Sequence, residues 1–263
     1  MDILRWAAPE WHATVGSTNT EALTDPRPGR VVVADHQSAG MGRRGRRWSS
    51  PPGTGLAVSA VVPPVPQELM GWVPLAAGLA LVQALADSRW PLDAALKWPN
   101  DVLAPLREGA TAQAPVLETV GRRWGKVAGV LAQVAGDGAV VVGTGVNVDH
   151  AADQLPVPTA TSWRLARGGA PLPAGAREAL LTAYLQHLAT WHGRLLAQQV
   201  RPLRTAYRGV CLTLGRPVVV HRPDGGTTSG TAVDVDDAGA LIVGGAEGRT
   251  LHHAGDVEHL RPQ

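Results

Sequence analysis

Residues 34–59 read ADHQSAGMGRRGRRWSSPPGTGLAVS, and the centre of this stretch has the composition of a ligand-binding loop. Gly40, Gly42 and Gly45 allow backbone conformations and close approaches that other residues resist. Four arginines alternate with these glycines, and their planar guanidinium groups suit phosphate and carboxylate oxygens. We call residues 40–48 the arginine loop, and its composition predicts that it wraps an anion.

Two other interpretations of the arginine loop are weaker. Residues 40–45 match the dinucleotide pattern Gly-x-Gly-x-x-Gly, which requires a helix opening within it and an acidic residue about 20 positions on. Prolines and glycines follow at 51–55 instead of a helical period, and the next carboxylate is Glu68. The second alternative is a nucleic-acid contact with Trp48 as a stacking ring. The net charge of 24 − 22 = +2 becomes −2 without the four arginines, so the basic character is local and disfavours a DNA-binding face.

The composition predicts a globular cytoplasmic protein. The 263 residues, 44% of them apolar, suffice for one large domain and a small one. The single Cys211 excludes an intramolecular disulfide, and the first residues lack an apolar signal segment. Residues 69–86 are apolar enough to require a membrane check, but Gly71, Pro74 and Gly78 interrupt them and no basic residues flank them closely. They predict a buried helix that starts near Pro74 and no membrane span.

The segments on either side of the arginine loop have an α/β pattern. Residues 31–34 and 56–62 are apolar runs that predict strands, and the helix to about residue 88 follows them. Further towards the N-terminus, residues 17–19 read Ser-Thr-Asn. These side chains suit a helix N-cap, with Glu21 completing a capping arrangement, and they equally suit hydrogen bonds to a small polar ligand. The residues alone leave both interpretations open.

Polar groups also follow a predicted strand at residues 94–98. Pro99 ends this strand and leaves Asn100 and Asp101 at its carboxyl end, where polar side chains usually face a cleft. Trp98 and Trp48 suit either the lining of a nucleotide site or core packing, and the sequence does not decide between the two.

The middle of the chain predicts further strands. Residues 104–115 have a Pro-, Gly- and Ala-rich composition without a period, which predicts a flexible loop. Residues 116–120 and 126–134 predict a hairpin around residues 121–125. A strand over 139–148 carries two central glycines, which indicates that another group lies close against it.

A change of pattern predicts two domains. Residues 176–198 predict an amphipathic helix, and after Gly209 short alternating strands follow, separated by Gly- and Asp-rich turns. These strands cover residues 217–221, 227–235, 240–243 and 250–253. We therefore predict an α/β domain with a mixed sheet and flanking helices over residues 1–209, and a small antiparallel β-barrel over 210–263.

Three separated segments share the order and character of motifs from one family. The arginine loop resembles Gly-Arg-Gly-Arg-Arg-Gly-Arg-x-Trp, residues 97–101 reproduce Lys-Trp-Pro-Asn-Asp in full, and residues 126–131 resemble Lys-x-Ala-Gly-Ile-Leu. Together with residues 17–19 and 143–147, they resemble biotin protein ligases, the enzymes that adenylate biotin and attach it to a lysine of a carboxylase carrier domain. The C-terminal barrel is similar to the SH3-like terminal domain of that family.

The resemblance implies a biotin site. Hydrogen-bonding side chains would hold the ureido ring, glycines would let the backbone approach the bicycle, the arginine loop would contribute contacts, and a lysine would meet the carboxylate. The corresponding residues are, in that order, Ser17, Thr18, Asn19 and Gln37; Gly129 and Gly145; Gly40, Met41, Gly42 and Arg43; and Lys126.

The resemblance also implies an ATP site and a catalytic set. Asn100 and Asp101 would hold Mg²⁺, and Asp101 would act as the base when the carrier lysine attacks. The implied ATP-binding residues are Arg43, Arg46, Trp48, Lys97, Asn100, Lys126 and Asn147, and the implied catalytic residues are Arg43, Arg46, Lys97, Asp101 and Lys126.

The implied activity is an ATP-dependent ligation of biotin to a biotin carboxyl carrier domain by a monomer or weak homodimer. Lipoate ligases and octanoyl transferases share the fold and are the alternative, although they lack the arginine loop and the Lys-Trp-Pro-Asn-Asp motif. We expect no specific DNA binding, because Ser17 already belongs to the implied site and a recognition domain needs far more than 16 preceding residues.

The sequence departs from the family pattern at three places. Met41 stands where arginine is usual, Gln133 stands where glutamate is frequent, and residues 104–123 form an insertion between two site motifs. We expect the four loop arginines to have no internal counterion. We therefore expect residues 36–48 to be mobile until an anionic ligand orders them.

Overall fold

The computed structural model describes residues 4–107, 115–119, 121–246, 248–253 and 255–259, and two β-sheets carry its architecture. The helices and strands are β1 Glu10–Val15, α1 Thr18–Thr24, β2 Val31–Gln37, β3 Gly55–Val62, α2 Trp72–Ala86, β4 Ala95–Lys97, β5 Asp101–Pro105, β6 Leu117–Thr119, β7 Arg122–Val134, β8 Val140–Asn147, α3 Trp163–Ala166, α4 Ala176–Leu196, α5 Val200–Val210, β9 Pro217–His221, β10 Thr227–Val235, β11 Leu241–Gly245, β12 Gly248–His252 and β13 Asp256–His259.

The large sheet has the order β1-β2-β3-β8-β7-β5-β4, with β6 paired to β7. β1 and β2 run parallel, and the pairs β2–β3, β3–β8 and β7–β8 are antiparallel. β3 and β8 lie inside the sheet and are buried over almost their whole length, which explains why their sequences are continuous apolar runs. The predicted mixed α/β fold is confirmed.

Helices α2 and α4 pack against each other and cover the sheet. α2 begins two residues before Pro74, and nearly all of its side chains are buried, as the apolar run over residues 69–86 predicts. α4 contributes Leu180, Leu188 and Leu195 to the same core. Among the described residues, no helix combines the length and the hydropathy needed to cross a membrane.

Two predicted features of the middle of the chain are wrong in detail. β7 begins at Arg122, because residues 122–124 pair with β6 in the register Leu117↔Trp124, so the hairpin turn is shorter than predicted. α5 had no prediction. Its buried side chains Leu203 and Tyr207, and the partly buried Val200 and Val210 that pack against the same core, recur at helical spacing, so the sequence did carry a signal for this helix. In the segment predicted as a loop, β5 continues to residue 105, and residues 108–114 lie outside the described chain.

The C-terminal sheet has the order β12-β11-β10-β9-β13 and is antiparallel throughout. Its first four strands in chain order lie where the alternating pattern predicts them, which confirms a small antiparallel β fold. The fifth strand, β13, had no prediction, because Val257 is its only apolar residue and a single apolar residue shows no alternation. β13 is nevertheless the strand that brings the C-terminal sheet to the site.

Buried tryptophans join the two sheets. Trp72 Nε1–H donates to Asp237 O at 2.9 Å, and Trp98 Nε1–H donates to Gly239 O at 3.4 Å. A Cβ on Gly239 would lie 2.8 Å from the backbone of Gly71, so the turn before β11 rests directly on the start of α2. Trp98 is therefore a packing residue that anchors the C-terminal sheet.

His192 on α4 should make the fold sensitive to acid. Its ring is buried, and its Nε2–H donates to Pro63 O at 3.0 Å. Burial lowers the pKa of this imidazole from 6.5 to about 4. Because the folded state resists protonation, the stabilisation from neutral His192 is complete above pH 6.5 and is lost as the pH falls to about 4. The loss amounts to about 3 kcal/mol.

We expect His192→Gln to reduce the pH dependence of the urea unfolding midpoint within this interval. The glutamine amide can still donate to Pro63 O but cannot take up a proton. The measurement is the midpoint as a function of pH for both proteins, and an identical pH dependence for the two would contradict the prediction.

Candidate active site

One cavity of about 640 Å³ lies between the arginine loop, strands β7 and β8, and β13 of the C-terminal sheet. Every site residue predicted from the sequence lines it except Gly40. The predicted residues that line the cavity are Ser17, Thr18, Asn19, Gln37, Met41, Gly42, Arg43, Arg46, Trp48, Lys97, Asn100, Asp101, Lys126, Gly129, Gly145 and Asn147. Segments that are far apart in the sequence thus form one site.

The start of α1 forms one end of the cavity. Ser17 is the helix N-cap, and its Oγ accepts from Thr20 N–H at 3.5 Å. Thr18 N–H donates to Gln37 Oε1 at 2.8 Å, so the amide Nε2 of Gln37 is the group that remains for a ligand. The N-cap interpretation of the Ser-Thr-Asn triplet is confirmed, and the three side chains also line the cavity, while their hydrogen bonding to a ligand stays a prediction.

The carboxamide of Asn19 is held within the protein. Its Nδ2 donates to Gln133 Oε1 at 2.6 Å and to Leu131 O at 3.3 Å, and its Oδ1 accepts from Ser59 Oγ at 2.6 Å. Gln133 supplies an oxygen acceptor, as the glutamate frequent at this position would. Ser59 was not predicted, and its signal was a lone hydroxyl within the apolar run of β3.

Glycines of β7 and β8 make room for Trp48. A Cβ on Gly145 would lie 2.4 Å from Trp48 Cε2, and a Cβ on Gly129 would lie 3.1 Å from Lys126 Nζ. Lys126 Nζ lies 5.6 Å from the centre of the Trp48 ring. Gly40 also packs against Trp48, because a Cβ there would lie 2.3 Å from Trp48 O. The expected close approach to the β8 glycines is confirmed, and Trp48 both packs on the sheet and lines the cavity.

Both lysines of the chain converge on Asp101. Asp101 Oδ1 accepts from Lys126 Nζ at 2.6 Å, and its Oδ2 lies 3.9 Å from Lys97 Nζ. Burial raises the pKa of Asp101, but the ammonium groups of Lys126 and Lys97 outweigh this effect and hold that pKa below its ordinary value. Burial lowers the pKa of Lys97 although Asp101 opposes the shift. Two cations around one carboxylate leave positive charge for an anionic ligand.

The residues proposed for Mg²⁺ have their oxygens engaged. Asn100 Oδ1 accepts from Arg43 Nη1 at 3.3 Å, and Asp101 faces the two lysines. Within the described chain, no group of three His, Cys, Asp or Glu side chains is arranged to hold a metal ion. In this arrangement, Asn100 and Asp101 do not fit a Mg²⁺ ion held by the protein. Their assignment as Mg²⁺ ligands stays a prediction, and it requires Arg43 or Lys126 to move.

The arginine loop is folded against the C-terminal sheet. A 3₁₀ turn spans Arg43–Gly45, with Gly42 N–H donating to Arg46 O at 2.6 Å. Arg43 Nη1 also donates to Gly255 O at 3.2 Å. This guanidinium therefore connects Asn100, which lines the cavity, to the residues before β13. Burial lowers the pKa of Arg43, while Asp256 opposes that shift.

Asp256 on β13 is the counterion of the loop. Its two carboxylate oxygens accept from Arg44 Nη1 and Arg46 Nη2, each at 3.2 Å. The expectation that these arginines lack an internal counterion is therefore wrong. The partner lies more than 200 positions along the chain, where no local sequence pattern could reveal it.

Two cavity side chains carry buried polar atoms that have no partner among the described residues. Asn147 Nδ2 donates to Thr161 O at 3.0 Å, but its Oδ1 is unpaired. Both ring nitrogens of His259, which was not predicted as a site residue, are unpaired as well. Burial, together with Lys97 and Arg216, lowers the pKa of His259 to about 3. Unpaired buried groups are costly, so both residues are suited to bind a ligand.

Comparisons with known proteins agree with this geometry. Residues 12–149 match the biotin/lipoate A/B protein ligase family, and residues 213–260 match the biotin protein ligase C-terminal domain. The biotin–[acetyl-CoA-carboxylase] ligase of Mycobacterium tuberculosis is 35% identical, over 97% of this chain and 90% of the relative. The enzyme of the same name from Paracoccus denitrificans is 32% identical, over 93% of this chain and 98% of the relative.

A solved structure shares the fold along the whole chain. The biotin protein ligase of Aquifex aeolicus in complex with biotin and ATP superposes with a TM-score of 0.76, covers 97% of this chain and 99% of that one, and is 24% identical. By itself, this structural similarity shows only that the two chains share a fold. Together with the family match and the identity to the two full-length relatives, it establishes that the chain belongs to the biotin protein ligases of the biotin/lipoate A/B protein ligase family.

Proposed function

We propose that this chain forms biotinyl-5′-AMP from biotin and ATP and transfers the biotinyl group to a lysine of a biotin carboxyl carrier protein. The observation that carries the proposal is one cavity whose lining combines two chemically different sets of groups. One set consists of the hydrogen-bonding groups of Ser17 and Gln37, and the other consists of the cations of Lys97, Lys126 and Arg43. A neutral ureido ring suits the first set, and carboxylate and phosphate oxygens suit the second.

In the first step, a biotin carboxylate oxygen attacks the α-phosphorus of ATP and pyrophosphate leaves. Lys126 would exchange its bond to Asp101 for one to the biotin carboxylate and so place the attacking oxygen. Arg43, Arg46 and Lys97 would stabilise the negative charge on the phosphate oxygens as it develops.

In the second step, the neutral amine of a carrier lysine attacks the carbonyl carbon of the mixed anhydride, and AMP leaves. Asp101 is the proposed proton acceptor. Once Lys126 is bound to substrate, Asp101 loses its nearest cation and its pKa rises from the lowered value, which makes it a better base. No covalent intermediate with the enzyme is needed.

We also propose that residues 1–209 form the catalytic domain and residues 210–263 a domain that completes the cavity through β13. The protein partner would be the carrier domain of an acetyl-CoA or acyl-CoA carboxylase, and the chain would act as a monomer or weak homodimer. The lipoate alternative is less well supported, because both full-length relatives are named biotin ligases.

Isothermal titration tests the proposed substrates. We expect biotin to bind with a stoichiometry of one, and ATP added to the biotin complex to produce a second saturable heat with release of pyrophosphate. Lipoate is the matched competitor. The absence of heat with biotin, or tighter binding of lipoate than of biotin, would contradict the proposal.

The arginine loop should become harder to cleave when ligand binds. Trypsin cuts after arginine, and we expect biotin plus ATP to slow cleavage within residues 43–47 of the wild-type protein, because phosphates bind the guanidinium groups. Asp256→Asn should speed cleavage of the free protein and have little effect on the liganded one. Asp224→Asn, which removes the pairing to Arg222 in the turn between β9 and β10, away from the arginine loop, is the control. Equal cutting with and without ligand would contradict the prediction.

A further inference from the structure

Ser59 lies beneath the end of the cavity that the start of α1 forms. Its side chain is fully buried on β3, between Val32 of β2 and Gly143 of β8. Its Oγ lies 2.8 Å from Thr18 Oγ1 and 2.6 Å from Asn19 Oδ1. The hydroxyl does not line the cavity, so its influence on a ligand must pass through these two side chains.

The direction of each hydrogen bond follows from what each atom can donate. Asn19 Nδ2 faces the carbonyl oxygen of Leu131, which only accepts, and so Asn19 Oδ1 must be the atom that faces Ser59. An amide oxygen only accepts, and the single proton of the Ser59 hydroxyl therefore goes to Asn19. Ser59 Oγ is left as an acceptor for the hydroxyl of Thr18.

The proton of Thr18 is consequently used within the protein. It goes to Ser59 Oγ or to Gln37 Oε1, which lies 3.1 Å away, and in neither case is it available to a ligand. Thr18 Oγ1 thus presents only a lone pair to the cavity. Gln37 presents an N–H group, because its oxygen is occupied by Thr18 N–H, and Ser17 retains its hydroxyl proton.

We infer that Ser59 is a positioning residue that fixes this donor and acceptor pattern and thereby selects a cyclic urea as the ligand head group. A urea combines one carbonyl acceptor, which matches the donors of Ser17 and Gln37, with N–H donors, which match Thr18 Oγ1. In 2-iminobiotin a protonated nitrogen replaces the carbonyl oxygen, so an N–H donor of the ligand would face the donors of Ser17 and Gln37. The inference rests on the proposed function, because it places the biotin head group at this end of the cavity.

The test compares Ser59→Ala with the wild type in titrations with biotin, desthiobiotin and 2-iminobiotin. Without Ser59 the Thr18 hydroxyl keeps only the longer contact, to Gln37 Oε1 at 3.1 Å, and turns more readily towards a ligand, while Asn19 Oδ1 loses its donor. We expect binding of both urea ligands to weaken by roughly 10-fold, in the range for one buried hydrogen bond, while 2-iminobiotin binds equally or more tightly. The ratio of the affinities for biotin and 2-iminobiotin should therefore fall by about 10-fold or more.

Two variants separate positioning from general destabilisation. Ser59→Thr keeps the hydroxyl and should retain the ratio. Ser162→Ala removes an equally buried serine hydroxyl, which caps α3 and donates to His150 O at 2.8 Å outside the cavity. It should lower the melting temperature without changing the ratio.

Gln133 gives access to the same network from its other side if Ser59→Ala does not fold. Gln133→Leu removes the acceptor at 2.6 Å from Asn19 Nδ2 and should lower the same ratio, whereas Gln133→Glu keeps an acceptor and should not. An equal loss for all three ligands in Ser59→Ala, or an unchanged ratio, would overturn the inference while leaving the proposed function intact. A wild-type protein that binds none of the three ligands would overturn both.

Discussion

Replacing Lys126 by alanine is expected to lower the rate of biotinyl-adenylate synthesis by about 100- to 1,000-fold, the usual cost of removing one preorganised charged or polar group from a transition state. Lys126 Nζ lies 2.6 Å from Asp101 Oδ1 and beside the ring of Trp48. Without it, the biotin carboxylate loses its cation and meets the charge of Asp101, whose remaining cation, Lys97, lies 3.9 Å away. The measurement is pyrophosphate release with saturating biotin and ATP and no carrier protein.

Two controls test whether the loss of adenylate synthesis is specific to the position and the charge of Lys126. Arg122→Ala removes one positive charge from the same strand at an exposed position, where Arg122 pairs with Asp93, and should leave synthesis unchanged. Lys126→Arg retains the charge with a different shape and should recover part of the rate. Wild-type pyrophosphate release by Lys126→Ala would show that this residue does not place the carboxylate.

Arg43→Gly is expected to release biotinyl-adenylate much faster than the wild type. Arg43 lines the cavity and already donates to Asn100 and Gly255, so its guanidinium is held where it can reach an adenylate phosphate. Loss of a charge-assisted bond of this kind costs about 1.5 to 3 kcal/mol, or roughly 10- to 150-fold in affinity. Because a free mixed anhydride acylates exposed amines, bystander proteins should become biotinylated, with synthesis reduced less than retention.

The measurements are the adenylate off-rate by stopped flow and the labelling of an unrelated protein. Arg44→Gly is the matched control, because it removes a charge from the same loop at a position outside the cavity lining and already at φ +55°. The chain has only two lysines, both in the cavity, so self-labelling should add little to the signal. A wild-type off-rate without bystander labelling in Arg43→Gly would show the assigned role to be wrong.

Most of the cavity could be predicted because its residues lie in local motifs. The run from Lys97 to Asp101 places a turn and a carboxylate together, and the β8 glycines indicate that a bulky group lies against them. Such signals need only neighbouring residues in the sequence. They identified the fold class and many of the residues that line the cavity.

The remaining site residues depend on contacts between distant segments. Asp256 and His259 belong to a four-residue strand whose position follows from the docking of the C-terminal sheet through Trp72 and Trp98. Ser59 is one hydroxyl in an apolar strand, and its role depends on which atoms of α1 lie above it. Neither case leaves a periodic or compositional trace in the sequence, so only the three-dimensional arrangement could reveal them.

The most direct measurement of the proposed activity is transfer of biotin to an isolated biotin carboxyl carrier domain. The purified chain, biotin, ATP and Mg²⁺ are incubated with the carrier, and the product is analysed by intact and peptide mass spectrometry. We predict one biotinyl group per carrier domain, on a single lysine, with one AMP formed per transfer and no transfer when ATP is omitted. A carrier that stays unmodified while biotin and ATP are present, or that accepts lipoate in preference to biotin, would contradict the account.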